Sequence, residues 1–478
     1  MIYRLAKHLE LVERDGASYL VSKAPLRLLR LNRSLTELVR RGLAGPLDAA
    51  DAAEAEVLEQ LAIKGFAERV RTVPEQTAPF PSVSVVIPVK DRAEELQRCL
   101  DSLAKIDYPR GKIQVIVVDD GSQDRSAAVA CESGALVVPS GGTGRGPAAA
   151  RNVGARNATG EILAFIDSDC TASTEWLAEL VTTFADPAVA AVGGMVDGMC
   201  TDSAVDRYEA VMSSLSLGSR ERFGGDGDDT FYLPSCNLLA RRSAFLGVGG
   251  FDDSMHVGED VDLTWRLRDE GWTIAYLPVG RVCHEHRSTI SSFMSRRFDY
   301  GTSEGMLQIL HPHRRKRMVI PPLLALVLAL CIIAPFAGWW PAALAGVLLA
   351  ADVVAVRLRF LRKGVPIGLP VLCGGRLRAF GSLIYYLSYH LVRYYSSLLL
   401  AAAVAFPPFW PVAVAIAGCA VGVDYAVKRP HLSFIGFAGI YLLEQLAYGT
   451  GVFWGCLKRK TFSSYRVVIL RHMEAALQ

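Results

Sequence analysis

Phe165-Ile166-Asp167-Ser168-Asp169-Cys170 is the stretch on which the reading of this chain turns. Residues 162–165 are apolar throughout, the pattern of a buried strand, and two carboxylates follow one residue apart where that strand should end. In an open parallel sheet, ligands bind beyond the carboxyl ends of the strands, so an Asp-x-Asp there faces a crevice. Such a pair aims oxygens at one hard cation, Mg²⁺ or Mn²⁺, whose shell substrate phosphates complete. The plain alternative is a turn after a strand, where Asp and Ser are common for backbone reasons.

The neighbouring sequence bears on that choice. Residues 83–88 (Val-Ser-Val-Val-Ile-Pro) and 115–118 (Val-Ile-Val-Val) are β-branched runs, and a helix fits 94–105 between them. This alternation predicts an α/β domain with a doubly wound parallel sheet. The runs end in Lys90-Asp91-Arg92 and Asp119-Asp120-Gly121-Ser122, so three acidic tips fall on one rim. Further strand is expected at 188–192 and helix at 176–184. Gly-rich residues 141–152 lead into a helix, where backbone N–H groups and Arg151 suit an anion such as a diphosphate. A second loop, Gly224-Gly225-Asp226-Gly227, has the composition of a lid.

Downstream, Gly258-Glu259-Asp260-Val261-Asp262-Leu263-Thr264-Trp265 opens a helix expected over 262–270. A helix N-terminus favours an ionised carboxylate, which suits Asp260 either as a cap or as a base that deprotonates an acceptor hydroxyl. A neutral imidazole suits Mn²⁺, so His284, and after it His286, is a candidate ligand beside Asp169.

These motifs resemble family 2 glycosyltransferases of the GT-A fold. The resemblance implies that Pro88, Asp91, Asp119 and Asp120 hold the nucleotide base, Asp167 the ribose and Asp169 the metal, with Arg151, and Arg296 or Arg297, toward the diphosphate. It makes Asp260 the catalytic base, with Glu259, Asp262 and Trp265 toward the acceptor. Arg296-Arg297-Phe298-Asp299-Tyr300 stands where processive members carry Gln-x-x-Arg-Trp, which argues against long-chain processive synthesis. Arg207-Tyr208-Glu209-Ala210, Met255-His256-x-Gly258-Glu259-Asp260 and Leu446-Ala447-Tyr448-Gly449 are similar to the mycofactocin-pathway group within that family. That likeness implies a UDP-glucose donor, a peptide-derived acceptor (mycofactocin) and a β-1,4-linked glucose chain. A lipid or cell-surface polysaccharide acceptor, or an inactive peptide- and nucleotide-binding protein, are the alternatives.

Around this domain, placed at 83–312, the chain divides further. Residues 1–72 read as two strands (10–12 and 19–21), two helices (33–41 and 48–64) and a closing strand at 66–70. This winged-helix-like order resembles PqqD-type peptide-binding modules, in which a peptide adds a strand to the sheet. Pro74, Pro79 and Pro81 mark 73–82 as a linker. Residues 1–10 carry Arg4, Lys7 and His8 without an apolar run, which is not the pattern of a secretory signal.

Residues 313–478 read as membrane and interfacial helices. No charge interrupts 318–351, and basic clusters at 313–317 and 357–363 flank it, which places both flanks in the cytoplasm beside the inner membrane. Residues 380–427 fit a hairpin, or an interfacial helix with one span, and 431–457 fit an interfacial or peripheral helix in contact with lipid. Lys+Arg 51 against Asp+Glu 48 argues against a nucleic-acid binder. Ten cysteines without Cys-x-x-Cys spacing suggest a reducing compartment and no zinc site.

Overall fold

The computed structural model describes residues 2–14, 16–23, 26–70, 80–224, 229–365 and 367–471. Most of the expected linker and of the expected lid at 224–227 lies outside the described residues. The chain forms two compact units, one of Met1–Glu75, Arg317–Leu387 and Val468–Gln478, the other of Gln76–Lys316 and Ser388–Val467.

In the first unit, Leu9–Arg14, Ala17–Lys23 and Leu26–Leu31 form an antiparallel meander, and Ile2–Leu5 pairs with both Leu47–Asp48 and Ala67–Val70. Helices Arg33–Ala44 and Ala52–Ile63 start at Asn32 and Asp51, whose side chains accept from Leu35 N and Glu54 N. The second helix starts later than position 48 because Leu47 and Asp48 are spent on pairing with Ile2–Leu5. Tyr3, Leu20, Val39 and Leu58 form the core. Val12, Tyr19, Val21 and Leu28, from the meander, pack instead on Val356, Val365, Ile367 and Leu372.

Helices Pro322–Ala337 and Trp340–Arg362 of the same unit form a hairpin closed by Val327, Leu330 and Ala345. Its tip leaves Phe336, Trp339 and Trp340 exposed. Helix Leu369–Ala405 follows, and its residues from Ser388 onward count with the second unit.

The second unit is built on an eight-stranded sheet. Its order is Arg222–Gly224, Thr273–Tyr276, Val189–Gly193, Asn237–Arg241, Ile162–Ile166, Val83–Val89, Ile113–Asp119, Leu136–Pro139. Helices Ala93–Leu103 and Trp176–Val181 cover one face through Leu96, Leu100 and Trp176; Pro147–Asn157 and Glu259–Asp269 cover the other through Ala150 and Leu263. Burial on both faces explains the unbroken apolar runs of the central strands.

The sheet is mixed, which corrects the all-parallel expectation. Asn237–Arg241 runs antiparallel to both Ile162–Ile166 and Val189–Gly193, and Arg222–Gly224 runs antiparallel to Thr273–Tyr276. The chain leaves the rim after Gly193 and re-enters the sheet from that same rim at Asn237, so the strand must run back. An apolar run carries no sign of its direction.

A small sheet lies over this rim. Cys170–Ala172 pairs with Val282–His284, which also pairs with Val196–Gly198. Cys170 stands opposite His284, and Glu285 N donates to Asp169 O at 2.9 Å.

Helix Ile290–Leu310 lies along Phe434–Lys458, the helix formed by the stretch expected to be interfacial or peripheral. Gly301 and Gly305 meet Gly451 and Gly455 there, and a Cβ on any of the four would press on backbone of the facing helix. Small residues four apart permit this approach of two backbones.

Candidate active site

A cavity of about 800 Å³ opens at the rim of the main sheet. Pro88, Asp120, Arg151, Asp167, Asp169, Glu259, Asp260, Trp265, His284 and Arg297 line it. Asp91, Asp119 and Asp262 are not among the described residues of its wall and have other partners. Asp91, at φ 51°, accepts from Gln123 N at 2.6 Å and so ties two strand-end loops together, while Asp119 accepts from Ser122 N at 3.0 Å within its own turn. Asp262 pairs with Arg266 and with His311 Nε2 at 2.9 Å, the contacts of a helix-anchoring carboxylate. Asp120 lines the cavity and accepts from Arg145 N and Gly146 N, each at 2.9 Å. Two amides of the Gly-rich loop are therefore engaged by a side chain.

Arg151, in the first turns of Pro147–Asn157, is buried and links two acids: Nη2 donates to Asp167 at 2.6 Å and Nη1 to Glu259 at 2.9 Å. Burial works against the charge of Asp167, but the Arg151 guanidinium prevails and holds its carboxyl below the usual range. Arg151 thereby joins the strand-end motif to the start of Glu259–Asp269.

That helix begins at Gly258, whose φ of 83° is a left-handed conformation that glycine adopts without strain. A Cβ there would meet the Ser303 side chain. The tight start leaves Asp260 in the first turn, accepting from Val261 N at 2.8 Å and Ser235 N at 3.2 Å. Its carboxyl is nevertheless pushed up to about 7, by burial first and by neighbouring Glu259 second. A carboxyl that titrates near neutrality inside a crevice is suited to proton transfer.

Asp169, Cys170 and His284 place ligand atoms within 4.8 Å of one another, with His284 Nε2 3.7 Å from Asp169 Oδ1. Burial pushes the Cys170 thiol well above its ordinary value, so it is a poor ligand for a hard cation. The carboxylate and imidazole fit Mn²⁺ or Mg²⁺. Arg92 ion-pairs with the other carboxylate oxygen of Asp169, Oδ2.

His286, 3.2 Å from His284 Nδ1 to Nδ1, is depressed to about 3 by burial first and His284 second. It lies beside Glu209, which also pairs with Arg297. Arg297 Nε is 3.3 Å from Glu444, which accepts from Tyr208. The sequence motif Arg207-Tyr208-Glu209-Ala210 thus supplies two anchors of a buried network that ends on helix Phe434–Lys458. Arg296 and Arg297, the two candidates for the diphosphate, both line the cavity and lie over the Tyr300 ring, at 5.3 and 5.5 Å from its centre, but Arg297 has both carboxylates as partners. Trp265 Nε1 donates to Phe231 O at 3.1 Å while its ring lines the cavity.

Sequence reasoning missed Arg92, Tyr232, Glu304, Lys316, Arg393, Tyr394 and Tyr448, all on the cavity wall. Positions 296, 300, 304 and 308 do show an i, i+4 stripe of polar and aromatic residues, which was a readable signal. Tyr448 stood in the quoted motif Leu446-Ala447-Tyr448-Gly449 without being assigned a place in the site, and Tyr394 carries no local signal.

The mixed sheet, with Asp167-Ser168-Asp169 on its rim, is a GT-A-like α/β glycosyltransferase fold. The chain belongs to glycosyl transferase family 2, whose profile matches residues 84–248. It is 37% identical over 315 residues to the "Pre-mycofactocin glycosyltransferase" of Mycobacterium tuberculosis, a match covering 64% of this chain and 63% of that relative's length. It is 31% identical over 239 residues to "Glycosyltransferase AglE" of Haloferax volcanii, covering 49% of this chain and 75% of that one. Among solved structures, the mannosyltransferase PcManGT of Pyrobaculum calidifontis, in complex with GDP-Man and Mn²⁺, aligns with a TM-score of 0.41 at 22% identity, covering 78% and 94% of the two chains.

Proposed function

We propose that this protein is a membrane-associated, inverting hexosyltransferase that moves glucose from UDP-glucose onto a mycofactocin-type, peptide-derived acceptor through β-1,4 linkages. The observation that carries the reaction type is the juxtaposition, in one cavity, of the Asp167/Asp169/His284 group and a separate carboxyl, Asp260, raised to about 7. Support for the donor and acceptor comes from the likeness to the M. tuberculosis relative.

In the proposed step, Asp260 accepts the proton of an acceptor hydroxyl as that oxygen attacks the anomeric carbon. The bond from that carbon to the diphosphate breaks on the opposite face, UDP departs as the anion, and the configuration inverts. Arg296 faces the cavity as a cation for the departing diphosphate, and Arg151 fixes Asp167 and Glu259 relative to each other. A divalent cation held by Asp169 and His284 would supply charge stabilisation to the diphosphate.

Among the described residues, one helix, Pro407–Lys428, is long and apolar enough to cross a membrane. The exposed aromatic tip of the Pro322–Ala337/Trp340–Arg362 hairpin also supports a lipid partner, with the basic flanks on the cytoplasmic side. In this reading the GT-A-like domain faces the cytoplasm, and residues 1–72 recruit the peptide part of the acceptor.

Purified protein incubated with UDP-glucose, Mn²⁺ and the peptide-derived acceptor should yield UDP and acceptor heavier by one or more hexoses. Transfer to a lipid or polysaccharide acceptor, with none to the peptide-derived one, replaces the acceptor reading and keeps the reaction type. UDP binding without turnover on any acceptor defeats the enzyme reading.

A further inference from the structure

The cavity extends past what the proposed donor and base occupy. On helix Ile290–Leu310, residues 296, 300, 304 and 308 share a face and all line the wall. Arg296 stands at the level of Asp167 and Glu259, and Glu304 lies two turns on, about 12 Å along the axis. At that far end Glu304 Oε1 accepts from Tyr394 OH at 3.1 Å and from Tyr448 OH, while Lys316 Nζ donates to Oε2. Lys316 Nζ also sits 4.0 Å from the centre of the Tyr394 ring and donates to Ser464 O at 3.1 Å.

Three properties of this group point to a ligand. Glu304, Lys316, Tyr394 and Tyr448 are partly exposed and open on the cavity, unlike Glu444, a buried bolt that is not among the described residues of its wall. Both phenols spend their proton on one carboxylate oxygen, so each turns lone pairs outward as an acceptor. Glu304 offsets Lys316 and Glu444 offsets Arg393, so the charges at this end are paired, and the two tyrosine rings, with Lys316 4.0 Å from the centre of Tyr394 and Arg393 3.6 Å from that of Tyr448, add apolar surface on their remaining sides. Hydroxyl donors around a ring with an apolar face are the chemistry of a neutral sugar. An anionic ligand would meet Glu304, and a purely apolar one would strand the phenol oxygens and the ammonium.

Resting on the transferase reading above, we propose that Glu304, Tyr394 and Tyr448 form a second acceptor subsite. It binds the saccharide ring next to the one whose hydroxyl attacks, so that acceptors already carrying glucose are preferred to the bare first acceptor. Chain residues beyond position 388 then set acceptor choice for a reaction carried out by the GT-A-like domain.

The test is steady-state kinetics with saturating UDP-glucose and two acceptor probes, methyl β-glucoside and cellotriose, on the full chain. Wild type should show the lower KM for cellotriose. Tyr448→Phe and Tyr394→Phe, which keep the rings and remove the acceptor oxygens, should each raise the cellotriose KM about tenfold and move the methyl β-glucoside KM less than about twofold. Equal shifts for both probes would make the group a helix bolt only and overturn the subsite, as would no shift in either. Glu304→Gln adds a readout independent of the phenols: it should change the same ratio of the two KM values. Wild-type protein that releases UDP with neither probe nor the peptide-derived acceptor would fail the transferase reading itself, a result distinguishable because it appears before any variant is made.

Discussion

Asp260 is where the chemistry is most exposed to test. The base must be ionised, and burial with Glu259 beside it holds the carboxyl near 7, so kcat/KM should climb about tenfold per pH unit below that point and level off above it. Asp260→Asn keeps the size and cannot take the proton; it should bind UDP nearly as wild type does while transfer falls by roughly two to four orders of magnitude. Calorimetry of UDP binding beside a mass-spectrometric hexose count reads both, and transfer within a few-fold of wild type would remove Asp260 from the mechanism. Stability runs the other way. The folded carboxyl is raised above its ordinary 3.8, so its contribution is complete below 3.8 and is lost as pH rises to about 7. The Tm of Asp260→Asn should therefore gain on that of wild type as pH rises from 3.8 to about 7 and hold a constant difference above 7. At Asp169, replacement by Ala should abolish turnover and cost little stability, because a half-buried strand-end ligand adds little to the core. Activity that survives either this change or EDTA contradicts the metal role. Asp167, Asp169 and Asp260 were legible in the sequence because each sits at a strand end or helix start, where a carboxylate breaks an apolar pattern. Arg92 and Tyr232 were not, since nothing local separates a cavity-facing arginine or tyrosine from a surface one.

Between elements, the pairing of Ile290–Leu310 with Phe434–Lys458 fixes the wall that carries Arg296, Tyr300 and Glu304. Gly→Ala in an open helix gains about 1 kcal/mol from propensity. Gly439, with nothing within 4 Å of a new Cβ, should follow that rule. Gly451→Ala should reverse it and cost about 1–3 kcal/mol, because the methyl collides with the Phe298 carbonyl. Thermal melts of the two variants in the same detergent decide the matter: two stabilised proteins would mean that the helices are not in backbone contact. The strands of the central sheet could be read in advance because burial on both faces leaves continuous β-branched runs. The reversed direction of Asn237–Arg241 could not, and neither could the union of residues 290–310 with 434–458, whose shared glycines look like ordinary breakers until the two helices are set side by side.

For the molecule as a whole, the proposed membrane association raises the question of whether, and how deeply, the first unit's hairpin would enter lipid. Its tip is aromatic and open, with Phe336 87% and Trp339 81% exposed. Soluble surfaces rarely carry such a cluster, and tryptophan favours the boundary between lipid and water. Going down Trp340–Arg362, the first charge is Asp352, which pairs with Arg376 at 2.7 Å. Asp352 stands twelve positions after Trp340, about 18 Å of helix, against a hydrocarbon core of about 30 Å. On the proposed membrane association, a hairpin whose apolar depth is about half the bilayer would enter one leaflet and return, keeping both basic flanks on one side without any span. Brominated lipids measure this directly. Tryptophan fluorescence of the protein in liposomes should be quenched most by bromines midway along the acyl chain, and Trp339→Phe with Trp340→Phe should remove most of that quenching. Phe336, Trp339 and Trp340 all changed to Ser should weaken liposome flotation without lowering the Tm, because these side chains contribute little to the unit's own core. Quenching that persists in the double Phe variant would assign the lipid contact to other tryptophans, and flotation unchanged by the Ser variant would show that the hairpin tip is not the anchor.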